Sequence, residues 1–277
     1  MKKLLLLAMA LMPFAFMSCD KENDEDGNVT GIEGTWQWDD YHHPFTITFK
    51  SNGSYKFETI GFKDEGTYTF ENSVVRCRLN KRWMCETGWN DNKRINVDGT
   101  WQETDLDGYN SRSFNVSLLE NGICIGKLND EFYGYVENEI MLVCTAAKIK
   151  LGGSDMDGRW ICRDGQTMMA RLEVSGNRYT IWQRLSYSQA PAATKEVGTW
   201  SYSNGYLTLT PTHLYYSSHH LASGGTAYET LSDDLEAENW HETEYEPQST
   251  RIAAYKKDNT FYIRPEGAES LVKLIKQ

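Results

Sequence analysis

The sequence predicts an all-β protein in which two similar antiparallel β domains follow one another along the chain. From about residue 32 onward, polar and apolar residues alternate with a period of two, and turn residues interrupt the alternation at short intervals. No window of about 11 residues combines a helical apolar stripe with helix start and stop signals. Short motifs of the first half return in the second half in the same order, and a length of 277 residues allows two domains of ordinary size.

The first residues have the features of a bacterial signal peptide. Lys2 and Lys3 provide a positive start, and the apolar stretch 4–16 is too short to span a bilayer as a mature helix. Phe16-Met17-Ser18-Cys19 resembles a lipobox, whose cysteine becomes the lipid-modified first residue after cleavage. Residues 1–18 are therefore predicted to be a lipoprotein signal peptide and Cys19 the lipidation site. A soluble secreted protein with an incidental cysteine is the alternative.

The segment 19–31 is predicted to be a flexible acidic tether. Five of its residues are Asp or Glu, and such a polar segment cannot pack into a core. An acidic run directly after the cysteine is similar to the surface-export signals of lipoproteins in certain Gram-negative anaerobes. No later stretch has the ~20 apolar residues of a membrane helix. We therefore expect a protein at the outer membrane or cell surface that contacts the membrane through its N-terminal lipid.

Tight turns divide the remaining chain into β-hairpins. In the first hairpin, Phe45, Ile47 and Phe49 alternate with polar residues up to Asn52-Gly53, after which the alternation resumes at Tyr55. Asn-Gly supplies the positive φ angles that a two-residue hairpin turn needs. The same device recurs at three further places: Asn121-Gly122, Asn204-Gly205 and Asp258-Asn259.

Two pairs of motifs define the internal repeat. Gly34-Thr35-Trp36 opens the first half and Gly158-Arg159-Trp160 opens the second. Further along, Gly66-Thr67-Tyr68 corresponds to Gly198-Thr199-Trp200. A glycine pair followed by polar residues separates the halves. The two predicted domains span 32–152 and 153–277.

This arrangement resembles the tandem lipocalin-like, or calycin-like, domains of lipoproteins in the Gram-negative bacterial envelope. A Gly-x-Trp in the first strand, a hairpin turn and a Gly-Thr-aromatic start of a later strand occur in that order, twice, behind a lipobox. The resemblance implies that each domain is an antiparallel β-barrel or half-barrel of about eight strands. It also implies that Trp36 and Trp160 plug the closed ends of the barrels and belong to the core.

Two long polar segments, 81–112 and 214–249, interrupt the hairpins. Loops longer than ~12–15 residues are usually functional or disordered, so we expect ligand specificity to reside here. Aromatic side chains in these segments could stack on sugar rings or on an apolar ligand. The candidate ligand-binding residues are Trp83, Trp89, Tyr215, Tyr216 and Trp240.

Familiar catalytic and metal-binding patterns are missing from the sequence. It has no Gly-x-Ser-x-Gly elbow, no His-Glu-x-x-His and no phosphate-binding loop, so no catalytic residue and no cofactor are predicted. A zinc site made of His213, His219 and His241 is less favoured than solvated loop histidines. The formal net charge of −11 argues against a nucleic-acid partner, because phosphate binding needs a basic face.

Five cysteines follow Cys19, so at least one thiol stays unpaired within a monomer. Pairing of Cys124 with Cys144, or of Cys77 with Cys85, remains open, although buried free thiols are favoured.

The function predicted from these features is that of a non-catalytic binding module in the cell envelope. Its ligand would be a small hydrophobic or glycan-like molecule, held in a barrel mouth or against the aromatic loops. Small barrels of about eight strands are either filled by side chains or hold one small ligand. The alternative is therefore a structural lipoprotein with filled barrels that docks another envelope protein through its long loops.

Overall fold

The computed structural model describes residues 31–38, 44–90, 93–106, 111–130, 135–147, 149, 151, 153–165, 167–184, 193–217, 239–244, 248–264 and 271–277. These residues form two closed, eight-stranded antiparallel β-barrels in tandem, which confirms the predicted fold class. Both sheets close on themselves, so neither domain is a half-barrel. The predicted signal peptide, Cys19 and the tether up to residue 30 lie outside the described residues. No helix within the described part of the chain is long and apolar enough to cross a membrane.

The first barrel is a meander whose last strand pairs with its first. Its spatial order is β4-β3-β2-β1-β11-β10-β9-β5, and pairing of β4 with β5 closes it. The short strand β8 adds to the end of β5, and β6 with β7 forms a separate two-stranded hairpin. The strands are β1 (Gly34–Trp38), β2 (Phe45–Phe49), β3 (Ser54–Thr59), β4 (Phe62–Glu71), β5 (Val74–Met84), β6 (Thr87–Asn90), β7 (Lys93–Asn96), β8 (Gln102–Thr104), β9 (Ser111–Glu120), β10 (Ile123–Asp130) and β11 (Tyr135–Cys144).

The second barrel repeats this order strand for strand. Its spatial order is β15-β14-β13-β12-β20-β19-β18-β16, closed by pairing of β15 with β16, and the short strand β17 adds to the end of β16. A short helix precedes it. The elements are α1 (Gly153–Met156), β12 (Gly158–Asp164), β13 (Thr167–Ser175), β14 (Arg178–Arg184), β15 (Ala193–Ser203), β16 (Tyr206–Ser217), β17 (Trp240–Glu242), β18 (Thr250–Lys257), β19 (Thr260–Arg264) and β20 (Val272–Lys276).

Two of the four predicted turns have positive φ angles at both residues, whereas only Gly53 (77°) of Asn52-Gly53 and only Asp258 (51°) of Asp258-Asn259 has one. Asn121 and Gly122 join β9 to β10 with φ angles of 51° and 78°. Asn204 and Gly205 join β15 to β16 with φ angles of 48° and 81°. Asn and Gly adopt this left-handed region at little cost, which explains why these residues mark the hairpins.

The tryptophan of each Gly-x-Trp motif lies at the end of its barrel where β1 or β12 begins, which we call the closed end. Trp36 and Trp160 are both 0% exposed, as expected for core residues. Trp36 Nε1 donates a hydrogen bond to Ile32 O, and Trp160 Nε1 donates to Met156 O, each at 2.7 Å. The same indole contact therefore fixes the start of both barrels, since a buried N–H needs an acceptor. We call the opposite end of each barrel the open end.

Aromatic side chains and a buried ionic network fill the first barrel. Arg82 donates to both carboxylate oxygens of Asp64, at 2.7 and 2.8 Å, and Arg112 donates to Asp64 at 2.7 Å and to Asp130 at 2.8 Å. All four residues are buried, and the Arg112 guanidinium lies 3.7 Å from the centre of the Phe57 ring. Burial by itself would lower the pKa of Arg112, but the charges of Asp130 and Asp64 outweigh it and raise that pKa. The Arg112 guanidinium therefore stays charged inside the barrel.

The two barrels pack against each other through a continuous apolar interface. Several residues of the second barrel belong to the hydrophobic cluster of the first: Tyr206, Ala253, Tyr255 and Leu271. Gly205 lies so close to β11 that a Cβ there would be 2.7 Å from a methyl group of Val143. Ile123, Cys124 and Ile125 are consecutive and all buried, because one face of β10 lines the barrel while the other covers the neighbouring barrel.

Contacts across this interface align the two barrels with equivalent ends together. The closed ends are joined by Glu120 with Lys257 (2.6 Å) and by Asn121 with Tyr255 (3.5 Å). Towards the open ends, the contacts are Glu139 with the amide of Leu271 (3.0 Å) and the Trp38 ring with Arg264 (5.1 Å). Both open ends therefore face the same side of the molecule.

None of the five cysteines in the described residues forms a disulfide bond. Cys77, Cys85, Cys124 and Cys144 are buried, and Cys162 is half-buried. Burial raises the pKa of Cys77 and that of Cys124 to about 12 each. Since the thiolate is the reactive form, these two thiols are core residues with little reactivity.

Candidate ligand-binding face

Each predicted loop segment adds a short strand to its barrel at the open end. Trp83 on β5 pairs with Glu103 on β8, and Tyr215 on β16 pairs with Glu242 on β17. Trp83 and Tyr215 therefore occupy equivalent positions in the two repeats. We call the outer surface formed by β5 with β8 and by β16 with β17 the insertion face.

In the first barrel, the insertion face is a cluster of tryptophans, lysines and a carboxylate. Lys63 Nζ lies 4.1 Å from the centre of the Trp101 ring, and Lys81 Nζ lies 5.9 Å from the centre of the Trp83 ring. Lys81 also approaches the Glu103 carboxylate at 3.8 Å. Ammonium groups over indole faces form cation–π contacts, which hold the half-buried Trp83 and Trp101 rings against the barrel wall.

The second barrel carries the matching cluster. Lys195 Nζ lies 5.2 Å from the centre of the Tyr215 ring, and His213 Nδ1 is 2.6 Å from Glu242 Oε1. Lys195 occupies the position of Lys63, and His213 that of Lys81. An aromatic ring, a lysine, a second basic side chain and a glutamate thus occupy equivalent positions on both barrels, although Lys63 lies over Trp101 and Lys195 lies over Tyr215, the counterpart of Trp83.

This equivalence reveals a repeat that the sequence interpretation missed. Trp101-Gln102-Glu103-Thr104 corresponds to Trp240-His241-Glu242-Thr243, with Glu103 and Glu242 at the same register position. The four-residue pattern Trp-x-Glu-Thr could have been found in the sequence. Trp101 was overlooked as a candidate residue because the segments before the two motifs differ in length.

A cleft of about 410 Å³ lies beside β8 in the first barrel. Its lining combines carboxylates, hydroxyls, an amide and two sulfur-containing side chains: Met84, Cys85, Glu86, Asp98, Thr100, Gln102, Glu103 and Thr104. Asp98 Oδ1 accepts a hydrogen bond from the Thr100 amide at 2.8 Å, and this contact lowers the pKa of the Asp98 carboxyl. The cleft belongs entirely to the segment in which specificity was predicted.

The β6–β7 hairpin and the residue that follows it expose apolar side chains, and in the sequence they lie between two residues that line the cleft, Glu86 and Asp98. Trp89 is 70% exposed, and Ile95 and Val97 are also exposed. Arg94, which pairs with Trp89, donates to Thr87 Oγ1 at 3.3 and 3.2 Å, so it braces the hairpin. Of the predicted residues, Trp89 is therefore the one with a largely accessible ring.

The remaining predicted residues are grouped in the second barrel. Tyr215, Tyr216 and Trp240 are half-buried, and Tyr216 pairs with His241 in the same ladder. Trp240 packs against a small cluster that includes the buried Trp182. The structure thus places Trp83 and Trp89 on one barrel and the other three residues on the second, with both groups at the open ends.

Within the described residues, no group of three or more His, Cys, Asp or Glu side chains is arranged to hold a metal ion. His213 instead contacts Glu242, and His219 lies outside the described residues. A scan against protein-family models and a search of curated proteins found no match for the chain.

Proposed function

We propose that the protein is a lipid-anchored binding module of the cell envelope that has no catalytic role and holds a glycan-like ligand in the cleft beside β8. The cleft is the observation that carries the proposal. Its volume of about 410 Å³ lies in the range of ~300–1,000 Å³ that is usual for small-molecule sites. Glu86, Gln102 and Glu103 offer acceptors for sugar hydroxyls. A lining with so many polar groups favours a glycan over a purely hydrophobic ligand.

The fold supports an arrangement in which the binding cleft faces away from the membrane. Residues 31–33 lead into β1 at the closed end, so a tether that begins at Cys19 would reach the molecule there. The insertion face lies at the opposite end of both barrels. A protein held through lipid at Cys19 would therefore present the cleft to the surroundings.

Binding to the cleft is tested by thermal unfolding of the full chain with cello-, malto- and chito-oligosaccharides. We expect at least one class to stabilise the protein by about 1–3 kcal/mol at concentrations well above its Kd. Gln102→Ala and Glu103→Gln should abolish this stabilisation, because the first removes an amide from the cleft and the second replaces a charged acceptor by a weaker, neutral one. Glu242→Gln, the equivalent change in the second barrel, should leave it intact. Stabilisation that survives both cleft substitutions would contradict the proposal.

Lipid attachment has a separate test. Cys19→Ala should move the protein from the membrane fraction to the soluble fraction when it is expressed in a Gram-negative bacterium, since the acylated residue is lost. Cys162→Ala, which changes a half-buried cysteine of the second barrel, should leave the protein in the membrane fraction. Retention of the Cys19→Ala protein with the membrane would rule out the proposed anchor.

The filled first barrel favours a second candidate function, docking to another envelope protein. The ionic network and the aromatic side chains around it fill the interior of that barrel. A barrel that is filled by side chains would bind a partner through its outer surface. The exposed Trp89, Ile95 and Val97 would then form the contact. In that case Trp89→Ala would weaken retention of a protein partner, and no oligosaccharide would stabilise the chain.

A further inference from the structure

The two barrels differ at their open ends, although their strands correspond one to one. Gly66 pairs with Tyr55 in the first barrel, and Gly198 pairs with Tyr179 in the second, so these positions are equivalent. Two residues before each glycine stands a carboxylic acid, Asp64 or Glu196. Both acids face the interior from the same strand of the repeat.

In the first barrel, side chains fill the interior at the open end. The interior positions nearest to it are all 6% exposed or less: Thr59, Phe62, Asp64, Arg82 and Arg112. Asp64 accepts hydrogen bonds from both guanidinium groups, so its charge is neutralised inside the protein. Little room is left for a ligand at this end.

The equivalent positions of the second barrel are accessible. Following the strand registers, they are Gln183, Thr194, Glu196, Leu214 and Thr250. Gln183 and Thr250 are exposed, and the other three are half-buried. Below them lie buried apolar side chains, Ile181, Leu209 and Ile252. Among the described residues, the second barrel is therefore accessible where the interior of the first is filled, with a mostly polar rim above an apolar floor.

The residues that replace Arg82 and Arg112 in the second barrel carry no positive charge. Leu214 stands at the position of Arg82, and Thr250 at that of Arg112. Glu196 instead accepts a hydrogen bond from the hydroxyl of Tyr179. Burial raises the pKa of Glu196, while the hydrogen bond from Tyr179 opposes the rise. The carboxylate is thus retained without the built-in guanidinium groups of the first barrel.

We propose that the open end of the second barrel binds an organic cation, an ammonium or guanidinium group attached to an apolar body. The cationic group pairs with Glu196 next to Tyr179 and supplies the charge that Arg82 and Arg112 provide in the first barrel. The apolar body lies on Ile181, Leu209 and Ile252. This site is separate from the cleft beside β8, and it stands whether or not the cleft binds glycans.

Isothermal titration of the full chain with hexylguanidinium tests the proposal, with hexanol and hexanoate as probes of equal tail length. We expect binding of hexylguanidinium, at least tenfold weaker binding of hexanol and none of hexanoate. Glu196→Gln should weaken hexylguanidinium binding at least tenfold because it removes the charge but keeps the size of the side chain. Glu71→Gln, which removes an exposed carboxylate from the first barrel, should have no effect.

A second substitution places the missing guanidinium inside the protein. Leu214→Arg recreates the pairing of the first barrel and should abolish hexylguanidinium binding without lowering the unfolding temperature. Equal affinity for all three probes, no measurable binding, or full affinity in the Glu196→Gln protein would overturn the proposal. Thermal unfolding and circular dichroism of each variant establish that loss of binding is not loss of folding.

Discussion

Replacement of Asp64 by alanine is expected to lower the free energy of unfolding by about 3–5 kcal/mol. The carboxylate accepts hydrogen bonds from Arg82 and from Arg112, and all three groups are buried. Its removal leaves the guanidinium groups of Arg82 and Arg112 inside the barrel without the carboxylate that bridges them. Taking a charge out of water is costly unless it is paired, so the loss of one partner costs far more than a surface ion pair contributes.

Equilibrium unfolding in urea, followed by circular dichroism, measures this effect. Glu65→Ala is the matched control, because Glu65 is the next residue on β4 and forms an ion pair with Lys56 on the surface. That change should cost less than about 1 kcal/mol. If the Asp64→Ala protein were as stable as the Glu65→Ala protein, the buried network would not contribute to stability in the manner inferred here.

The features that could be predicted from the sequence are those with local causes. Asn121-Gly122 and Asn204-Gly205 mark hairpins because a tight turn needs positive φ angles at those residues. Trp36 and Trp160 belong to a motif that spans three residues, and their indole groups reach carbonyls only four positions away. Strand alternation and the order of the motifs were then enough to predict two antiparallel domains, and the family resemblance added the barrel.

The ionic network could not be predicted because its members are far apart in the sequence. Asp64 lies 18 residues from Arg82 and 48 from Arg112, and charged residues in strands usually face solvent. Only the pairing of β4 with β5 and of β5 with β9 brings them together. The accessible end of the second barrel escaped prediction for the same reason, since it depends on comparing Glu196 with Asp64 in register.

The sequence singled out the two segments that carry the candidate site, but the ligand-binding role of their aromatic residues stays a prediction. The segment 81–112 does contain the cleft, and Trp83 and Tyr215 do lie at the open ends. Both segments were interpreted as irregular loops, so the strands β8 and β17 were not predicted. Trp101, which directly precedes β8 and contacts Lys63, was therefore not among the candidate residues. Three-residue strands are too short for their alternation to stand out from the surrounding polar sequence.

Substitution of Gly66 by alanine is expected to destabilise the protein by about 3 kcal/mol or more, and Gly198→Ala should do the same. These glycines open the two Gly-Thr-aromatic motifs, and each lies at a register shift between neighbouring strands. A Cβ at Gly66 would be 2.0 Å from Arg78 O, and one at Gly198 would be 2.3 Å from Thr210 O. No heavy atoms approach so closely without a bond, so the strands must separate.

The reason for glycine here is the close approach of two backbones rather than an unusual φ angle, and a third variant separates the two causes. Gly99 has a φ of +70°, but a Cβ there would meet no atom within 4 Å. Gly99→Ala should therefore cost only the strain of a left-handed residue, about 1 kcal/mol. Urea unfolding of the three variants should rank Gly66→Ala and Gly198→Ala well below Gly99→Ala in stability. If all three variants were equally stable, the close approach of the two backbones would not be what requires glycine at these positions, and the motif would not mark the contact between the strands that close each barrel.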